Sequence, residues 1–337
     1  MTDHNVQIVL AQRPTGPVSA ACFAQREVAV GELGEGDVLV RNLFVSCDPY
    51  ILGRMQGGVG YAGGFALDEP IPARAVGQII ASRHPAWKEG DHVWGFLGWQ
   101  THAVARRGEG LWPADPAVGP LAHYISVLGM PGLTAWVGML DIGQPSPGDT
   151  VVVSAAAGAV GSLAGQLARR AGARVIGIVG GAAKVDHVTG SLGFDACIDR
   201  KAGDVGAALD ELCPNGIDVY FDKVGGPILE AALARLAPFA RIPVCGMISG
   251  YDTPETSATN GIRGMANMLR SRATMTGFVI YDHMHDYPTY VVRMASLLRS
   301  GAVTYVNDIW TGIDRVPEAF LAMMHGDNIG KRLVNVG

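Results

Sequence analysis

The sequence predicts an α/β fold of two domains, one built on a doubly wound parallel sheet and one rich in β-structure. The stretch "VVVSAAAGAVGSLAGQ" (151–166) is typical of a buried strand, a glycine-bearing turn and a helix. Strand-like and helix-like segments then alternate, which favours a parallel sheet. Roughly the first 120 residues instead contain short β-type runs separated by glycine and proline turns.

Composition sets the class of protein. The 337 residues are 48% hydrophobic and 17% charged, which is typical of a globular chain long enough for two domains. A net charge of −5 gives no reason to expect nucleic acid or an anionic membrane as a partner. Five cysteines without a CxxC pair fit a reduced cytosolic protein, and the N-terminal residues lack the pattern of a signal peptide. We therefore expect a cytoplasmic protein.

The stretch that begins the parallel-sheet domain changes character midway. "TVVVSA" (150–155) predicts a strand buried on both faces, and "VGSLAGQLARRAG" (160–172) predicts a helix. Between them, Ala156-x-Gly158-x-x-Gly161 is the dinucleotide-binding fingerprint with alanine in the first position. Gly158 would let the backbone approach a pyrophosphate at the start of the helix, and Gly161 would let that helix pack closely on the strand. A membrane helix is not expected, because polar residues interrupt the apolar run.

The alternation continues beyond this motif. It predicts a strand at 173–179, a helix at 184–193, strands at 196–199 and 217–225, a helix at 227–240 and a strand at 241–249.

The residues after the strand predicted at 173–179 predict NADP rather than NAD as the cofactor. Gly180 and Gly181 stand where an NAD-binding domain carries an acidic residue for the ribose hydroxyls. Lys184 follows closely, and Arg200 stands at the end of the next strand, so both could meet a 2′-phosphate. The alternative for both is an ordinary solvated surface charge.

The remaining chain predicts the β-rich domain. "DVLVRNLFVSCDPYI" (37–51) and "HVWGFLGWQTHAVA" (92–105) have the composition of strands in a small barrel. A turn and helix at 129–140 lead into the parallel-sheet domain, and the residues after about 310 predict a helix, a glycine-rich turn and a last strand. The predicted domains are 1–125 with 310–337, and 126–309.

Several blocks, in this order along the chain, resemble one superfamily. They are "SCDPYILGRM", "GWQTHAV", "LGMPGLTAWVGMLDIGQP", "AAAGAVGS", "GFDACID", "NGIDVYFDKVGG", "RIPVCGMIS" and "GDNIGKRLV". The chain resembles the medium-chain dehydrogenase/reductase superfamily along its whole length. Within it, the chain is most similar to the zinc-free branch of leukotriene B4 dehydrogenases/prostaglandin reductases, alkenal double-bond reductases and bacterial curcumin reductases. "LDIGQP", "GGAAK" and "ARIPVCG" most resemble the curcumin reductases.

This resemblance implies a Rossmann-type domain beside a GroES-like β-rich domain. It also implies NADP(H)-dependent reduction of the carbon–carbon double bond of α,β-unsaturated ketones or aldehydes, by hydride transfer to the β-carbon without a metal. Quinone reduction and non-enzymatic NADPH binding stay open as alternatives. A homodimer is implied as well. No metal site is expected, because "RAVGQII" stands where zinc enzymes carry Gly-His-Glu, and "DHMHD" (282–286) is better explained as a polar loop.

The resemblance also implies roles for individual residues. Tyr50, Tyr61 and Tyr281 are the catalytic candidates, since a tyrosine O–H can donate to the enolate oxygen that forms during reduction. The residues implied to contact the cofactor are Gly158, Ala159 and Val160 at the pyrophosphate, Lys184 at the 2′-phosphate, Cys245, Gly246 and Met247 on the nicotinamide side, and Asn328.

Three positions depart from the family pattern. Leu52 replaces the arginine of the common "DPYMR", Lys223 replaces the asparagine of the common "ENVGG", and Arg200 replaces a tyrosine usual near the 2′-phosphate. The last change adds positive charge and supports NADP. Cys245 is interpreted as a small packing residue, because neither a helix start nor a neighbouring histidine would activate its thiol.

Overall fold

The computed structural model describes residues 4–57, 63–251 and 261–337. The chain divides into two compact units, Met1–Ser126 with Asn307–Gly337 and Val127–Val306. Across the described ranges, no helix combines the length and the apolar character needed to cross a membrane.

The first unit begins as a series of strands centred on Val38–Ser46. That strand alternates buried valines with more exposed residues, so one face enters a core while the backbone pairs on both edges. Its partners are antiparallel. The elements are β1 (His4–Leu10), β2 (Phe23–Ala29), β3 (Val38–Ser46), α1 (Tyr50–Met55), β4 (Ala75–Ser82), β5 (His92–Gly95), β6 (His102–Ala105) and β7 (Trp112–Pro113).

The second unit alternates strands and helices. Its strands are β8 (Thr150–Ser154), β9 (Arg174–Val179), β10 (Ala196–Asp199), β11 (Ile217–Phe221), β12 (Leu236–Val244) and β13 (Thr274–Gly277). Its helices are α2 (Met130–Trp136), α3 (Gly161–Arg170), α4 (Ala182–Asp186), α5 (Val205–Leu212), α6 (Gly226–Leu233), α7 (Met265–Ser271) and α8 (Tyr287–Arg299). Further helical turns extend α2 through Gly143 and α4 through Ser191.

The strands of the second unit form one parallel sheet in the order β10-β9-β8-β11-β12-β13. This order confirms the predicted doubly wound fold. The chain reverses its direction of winding between β8 and β11, which are neighbours. In such sheets, ligands bind beyond the carboxyl ends of the strands at this reversal.

One predicted element is wrong. The sequence predicted a helix through residue 240, but α6 ends at Leu233 and β12 begins at Leu236. Pro238 cannot donate a helical hydrogen bond, and Phe239 has φ +63°, which no α-helix accommodates. The apolar run therefore changes from helix to strand within three residues.

The chain returns to the first unit through β14 (Asn307–Thr311), α9 (Val316–Met324) and β15 (Lys331–Asn335). β15 pairs in parallel with β14 and antiparallel with β3, so the last strand completes the mixed sheet of this unit. Phe320 of α9 packs against the ring of Trp99, with 5.5 Å between ring centroids. The predicted helix, turn and last strand are confirmed.

Candidate functional site

The glycine-rich loop lies between β8 and α3, at the carboxyl edge of the parallel sheet. Ala155 turns the chain with φ +48°, a left-handed conformation that is uncommon for alanine. A Cβ on Gly161 would lie 2.4 Å from the carbonyl oxygen of Ala155, and one on Gly165 would lie 1.9 Å from the Phe194 ring. Packing within the protein therefore requires both of these glycines.

Gly158 has a different reason to lack a side chain. Its φ lies outside the left-handed region, and the nearest backbone atom to an added Cβ would be the oxygen of Ala155, at 3.3 Å. The protein could accommodate that Cβ with a small shift. An alanine at 158 would instead obstruct a dinucleotide backbone that approached the loop at this residue.

The N-terminus of α3 adds a favourable field to this loop. Val160 is the first flanking residue and has no side-chain acceptor for the N–H groups of the first turn. Those groups and the helix dipole favour a negatively charged ligand. The backbone of Ala159 is fixed, because its carbonyl oxygen accepts a 3.0 Å hydrogen bond from the hydroxyl of Tyr305.

A cluster of cations lies over the end of β9. Measured from the point where a Cβ on Gly180 would sit, Arg200 Nε lies at 3.3 Å and Lys201 Cε at 3.2 Å. Gly181 has φ +104°, and α4, which carries Lys184, begins directly after it. The structure thus brings Gly180 and Arg200 together, and it adds Lys201, which the sequence reasoning missed.

Asp199 ties this cluster together. Its Oδ1 accepts 2.8 Å and 2.9 Å hydrogen bonds from the backbone N–H groups of Gly181 and Lys201. The N–H of Gly181, and then that of Lys201, hold the pKa of Asp199 below its ordinary value. The carboxylate therefore fixes the ends of β9 and β10 against each other. The acid of "ACIDRK", at the last position of a short strand, was the available signal.

The turns after β11 and β12 interlock beside the loop. The N–H of Asp222 donates to the oxygen of Pro243, the N–H of Cys245 to that of Asp222, and the N–H of Ile248 to that of Lys223. Cys245, Gly246 and Met247 accordingly lie at the carboxyl end of β12, one strand from the reversal.

The thiol of Cys245 is not poised for nucleophilic chemistry. Burial raises its pKa to about 11, with the nearby charge of Lys223 acting in the opposite direction. The thiol is therefore protonated at neutral pH, as expected of a packing residue rather than a reactive cysteine.

The three tyrosine candidates have different settings. Tyr50 begins α1 in the first unit, where the Arg74 guanidinium lies 5.6 Å from the centre of its ring. Tyr281 lies in the second unit, in a 3₁₀ turn that spans Ile280–Asp286, and is 43% exposed. Tyr61 falls outside the described residues.

A buried ion pair supports the start of α1. Asp48 accepts a 2.7 Å hydrogen bond from Lys331 Nζ, which also donates to the oxygen of Cys47 at 2.6 Å. The hydroxyl of Ser46 donates to the other carboxylate oxygen. Both Asp48 and Lys331 are buried, so this network fixes the segment that leads into Tyr50.

Two further expectations concern Asn328 and metals. The side-chain N–H of Asn328 donates to the oxygen of Gly330 at 2.7 Å, which shapes the turn before β15. Within the part of the chain that the structure describes, no three His, Cys, Asp or Glu side chains are grouped so that they could hold a metal ion.

Comparisons with known proteins match the two parts of the chain separately and as a whole. Residues 6–113 match a family described as the N-terminal domain of oxidoreductase, and residues 159–296 match one described as zinc-binding dehydrogenase. The chain is 37% identical to the NADP(+)-dependent 2-alkenal reductase of Nicotiana tabacum, covering 98% of this chain and 97% of the relative. It is also 37% identical to the NADPH-dependent curcumin reductase of Escherichia coli, covering 98% and 97%.

A solved structure matches equally completely. CurA from Vibrio vulnificus in complex with NADPH is 40% identical to the chain, with a TM-score of 0.92 over 98% of this chain and 99% of that one. Similarity of this extent places the sequence in one family with these proteins and confirms the predicted fold class.

Proposed function

We propose that this chain, which belongs to the medium-chain dehydrogenase/reductase family, uses NADPH to reduce the carbon–carbon double bond of α,β-unsaturated ketones or aldehydes. The observation that carries the proposal is the glycine-rich loop at the reversal of the sheet, open at Gly158 and flanked by Arg200 and Lys201 over Gly180. The activities named for the reductases of Nicotiana tabacum and Escherichia coli support the substrate class.

The residues of the second unit fit NADPH. Gly158 leaves a cradle that a Cβ would fill, and the first turn of α3 would meet the negative pyrophosphate. Arg200, Lys201 and Lys184 would meet the 2′-phosphate, since guanidinium and ammonium groups form strong charge-assisted bonds with phosphate. Cys245, Gly246 and Met247 would lie on the nicotinamide side. The second unit is therefore proposed as the dinucleotide-binding domain and the first as the catalytic domain.

Bound NADPH supplies the hydride that the β-carbon receives. Negative charge then develops on the carbonyl oxygen, and the protein must donate hydrogen bonds to it. A tyrosine O–H can do so while it stays neutral at pH 7. Tyr50, Tyr61 and Tyr281 are the proposed donors, and a proton from tyrosine or water completes the reaction at the α-carbon. We propose that no metal takes part.

We also propose a cytoplasmic homodimer that forms through the dinucleotide-binding domain. Among the described strands, β13 ends the parallel sheet and pairs only with β12, which leaves an edge available for pairing. Leu269 of nearby α7 is 83% exposed and Met265 is 49% exposed, which is unusual for large apolar side chains. The five cysteines are free, which supports a reducing compartment. Light scattering after gel filtration tests the dimer.

Oxidation of NADPH by the purified protein tests the reaction. We expect turnover with a short alkenal and an aromatic enone, the saturated carbonyl as the product, and little turnover with NADH. A chelator such as EDTA should leave the rate unchanged. Turnover with a simple quinone alone would make the protein a quinone reductase, and NADPH binding without turnover of any acceptor would contradict an enzymatic role.

The cations over Gly180 predict cofactor discrimination. The double variant R200M/K201M should lower the ratio of kcat/KM for NADPH to that for NADH by about tenfold, because exposed charges contribute only modestly. R299M, which removes an exposed arginine at the end of α8, is the matched control and should leave the ratio unchanged. An unaltered ratio in the double variant would show that the 2′-phosphate does not bind at this position.

A further inference from the structure

We propose that Lys223 binds the diphosphate of the cofactor from the side of the loop opposite to α4, and thereby holds NADPH and NADH alike. This inference rests on the proposed function, because it concerns the same dinucleotide site. Lys223 follows β11 by two residues, and β11 is the direct neighbour of β8 at the reversal of the sheet.

The side chain of Lys223 reaches the glycine-rich loop. Its Nζ lies 3.8 Å from the point where a Cβ on Gly158 would be. The ammonium group therefore lies beside the glycine of the loop whose lack of a side chain has no packing reason within the protein. A diphosphate that approached the backbone at Gly158 would meet this positive charge.

The backbone around Lys223 is fixed by its neighbours. Its N–H donates to Ser154 Oγ at 2.8 Å, and its carbonyl oxygen accepts from the N–H of Ile248 at 3.2 Å. Ser154 is the last residue of β8, so the hydrogen bond joins the lysine directly to the strand that enters the loop. Because the backbone of Lys223 is already fixed by these bonds, it loses little further freedom when the side chain binds a ligand.

Lys223 and the cations of the 2′-phosphate site lie on opposite sides of β8. Neighbouring strands are about 4.8 Å apart, so the ends of β11 and β9 are separated by roughly 10 Å across the sheet. The diphosphate crosses the loop between these two positions in dinucleotide folds. Lys223 is therefore placed for a group common to NADPH and NADH, whereas Arg200 and Lys201 are placed for the 2′-phosphate.

The carboxylate of Asp222 fixes the turn that carries the lysine. Asp222 Oδ1 already accepts from the hydroxyl of Tyr220 and from the N–H groups of Val224 and Gly225, each at 3.0 Å. These bonds to Oδ1 fix the turn that carries Lys223.

The test measures binding with four probes: NADPH, NADH, ADP-ribose and adenosine 2′-monophosphate. The last has no diphosphate. K223M removes one charge-assisted contact, so it should weaken the binding of NADPH, NADH and ADP-ribose by similar factors, about tenfold to hundredfold. The binding of adenosine 2′-monophosphate should be unchanged. K223R keeps the charge and should retain most of the affinity, whereas K223N should behave like K223M.

Other outcomes would overturn the proposal. A loss of affinity confined to NADPH and adenosine 2′-monophosphate would show that Lys223 contacts the 2′-phosphate and not the diphosphate. An unchanged Kd with a lower kcat would place it at the reacting carbonyl. A lower Tm of the cofactor-free K223M protein, with unchanged Kd, would make the lysine structural. If the wild-type protein binds NADPH but reduces no enone, the proposed reaction fails while the Lys223 inference is still decided by the binding series.

Discussion

Gly158→Ala is expected to weaken NADPH binding by about tenfold to hundredfold while the protein stays folded. The added Cβ would come no closer than 3.3 Å to the backbone of the loop, and the φ of Gly158 is open to alanine. The cost to the free energy of unfolding should therefore stay below about 1 kcal/mol. The cofactor loses its close approach to the backbone, and crowding of this kind costs about 1–3 kcal/mol, which corresponds to the expected loss of affinity.

Gly161→Ala is the matched control, three residues further along the same loop. Its Cβ would lie 2.4 Å from the carbonyl oxygen of Ala155, and a backbone atom cannot give way as a side chain can. This variant should lose about 1–3 kcal/mol of stability, which lowers the Tm by several degrees. Thermal melting of both cofactor-free proteins, followed by fluorescence titration with NADPH, separates the two effects. If Gly158→Ala melted as early as Gly161→Ala, or bound NADPH normally, Gly158 would have no ligand-dependent reason to be glycine.

Local patterns were sufficient to predict the strand, loop and helix around this motif. The strand predicted at 150–155 is β8 with one residue fewer, and the helix predicted at 160–172 is α3 between Gly161 and Arg170. A continuous β-branched run and a glycine-rich turn act over a few residues, so the sequence contains the whole signal. The mistaken helix through residue 240 shows the limit. Its apolar spacing continued past Leu233, and Pro238 was the local signal that should have ended it.

The charges of the site were harder to predict, because their positions depend on strand order. Lys201 follows Arg200 directly but is not among the residues predicted for the site, although both side chains lie over Gly180. In the sequence, Lys223 stands out only as a departure from the family pattern. Its proximity to Gly158 follows from the pairing of β11 with β8, strands that are separated by more than sixty residues of sequence. No periodicity within a short window reports such a neighbour.

Asp48→Asn is expected to destabilise the first unit by about 3–5 kcal/mol, because it leaves the buried ammonium of Lys331 without its counter-charge. Burial alone would raise the pKa of Asp48, but the charges of Lys331 and Arg74 and hydrogen bonds from Lys331 and Ser46 outweigh it and hold the pKa below its ordinary value. The ion pair therefore stabilises the fold above the unfolded-state pKa of about 3.9, and the stabilisation is lost as the pH falls through the lower folded-state pKa.

The pH dependence distinguishes this ion pair from simple packing. Urea unfolding of the wild type should show stability that falls between about pH 5 and pH 2, and D48N should lack the part of that slope that Asp48 contributes. Ser46→Ala removes one hydrogen bond but keeps the charge pair, so it should cost only about 1 kcal/mol and preserve the slope. The double variant D48N/K331M should be less destabilised than the sum of its single changes, since neither charge is then left buried alone. Parallel pH profiles for wild type and D48N would contradict the assignment.

Because the N–H of Ile51 donates to the oxygen of Asp48 at 3.1 Å, loosening of this segment in D48N should also displace the start of α1, and with it Tyr50.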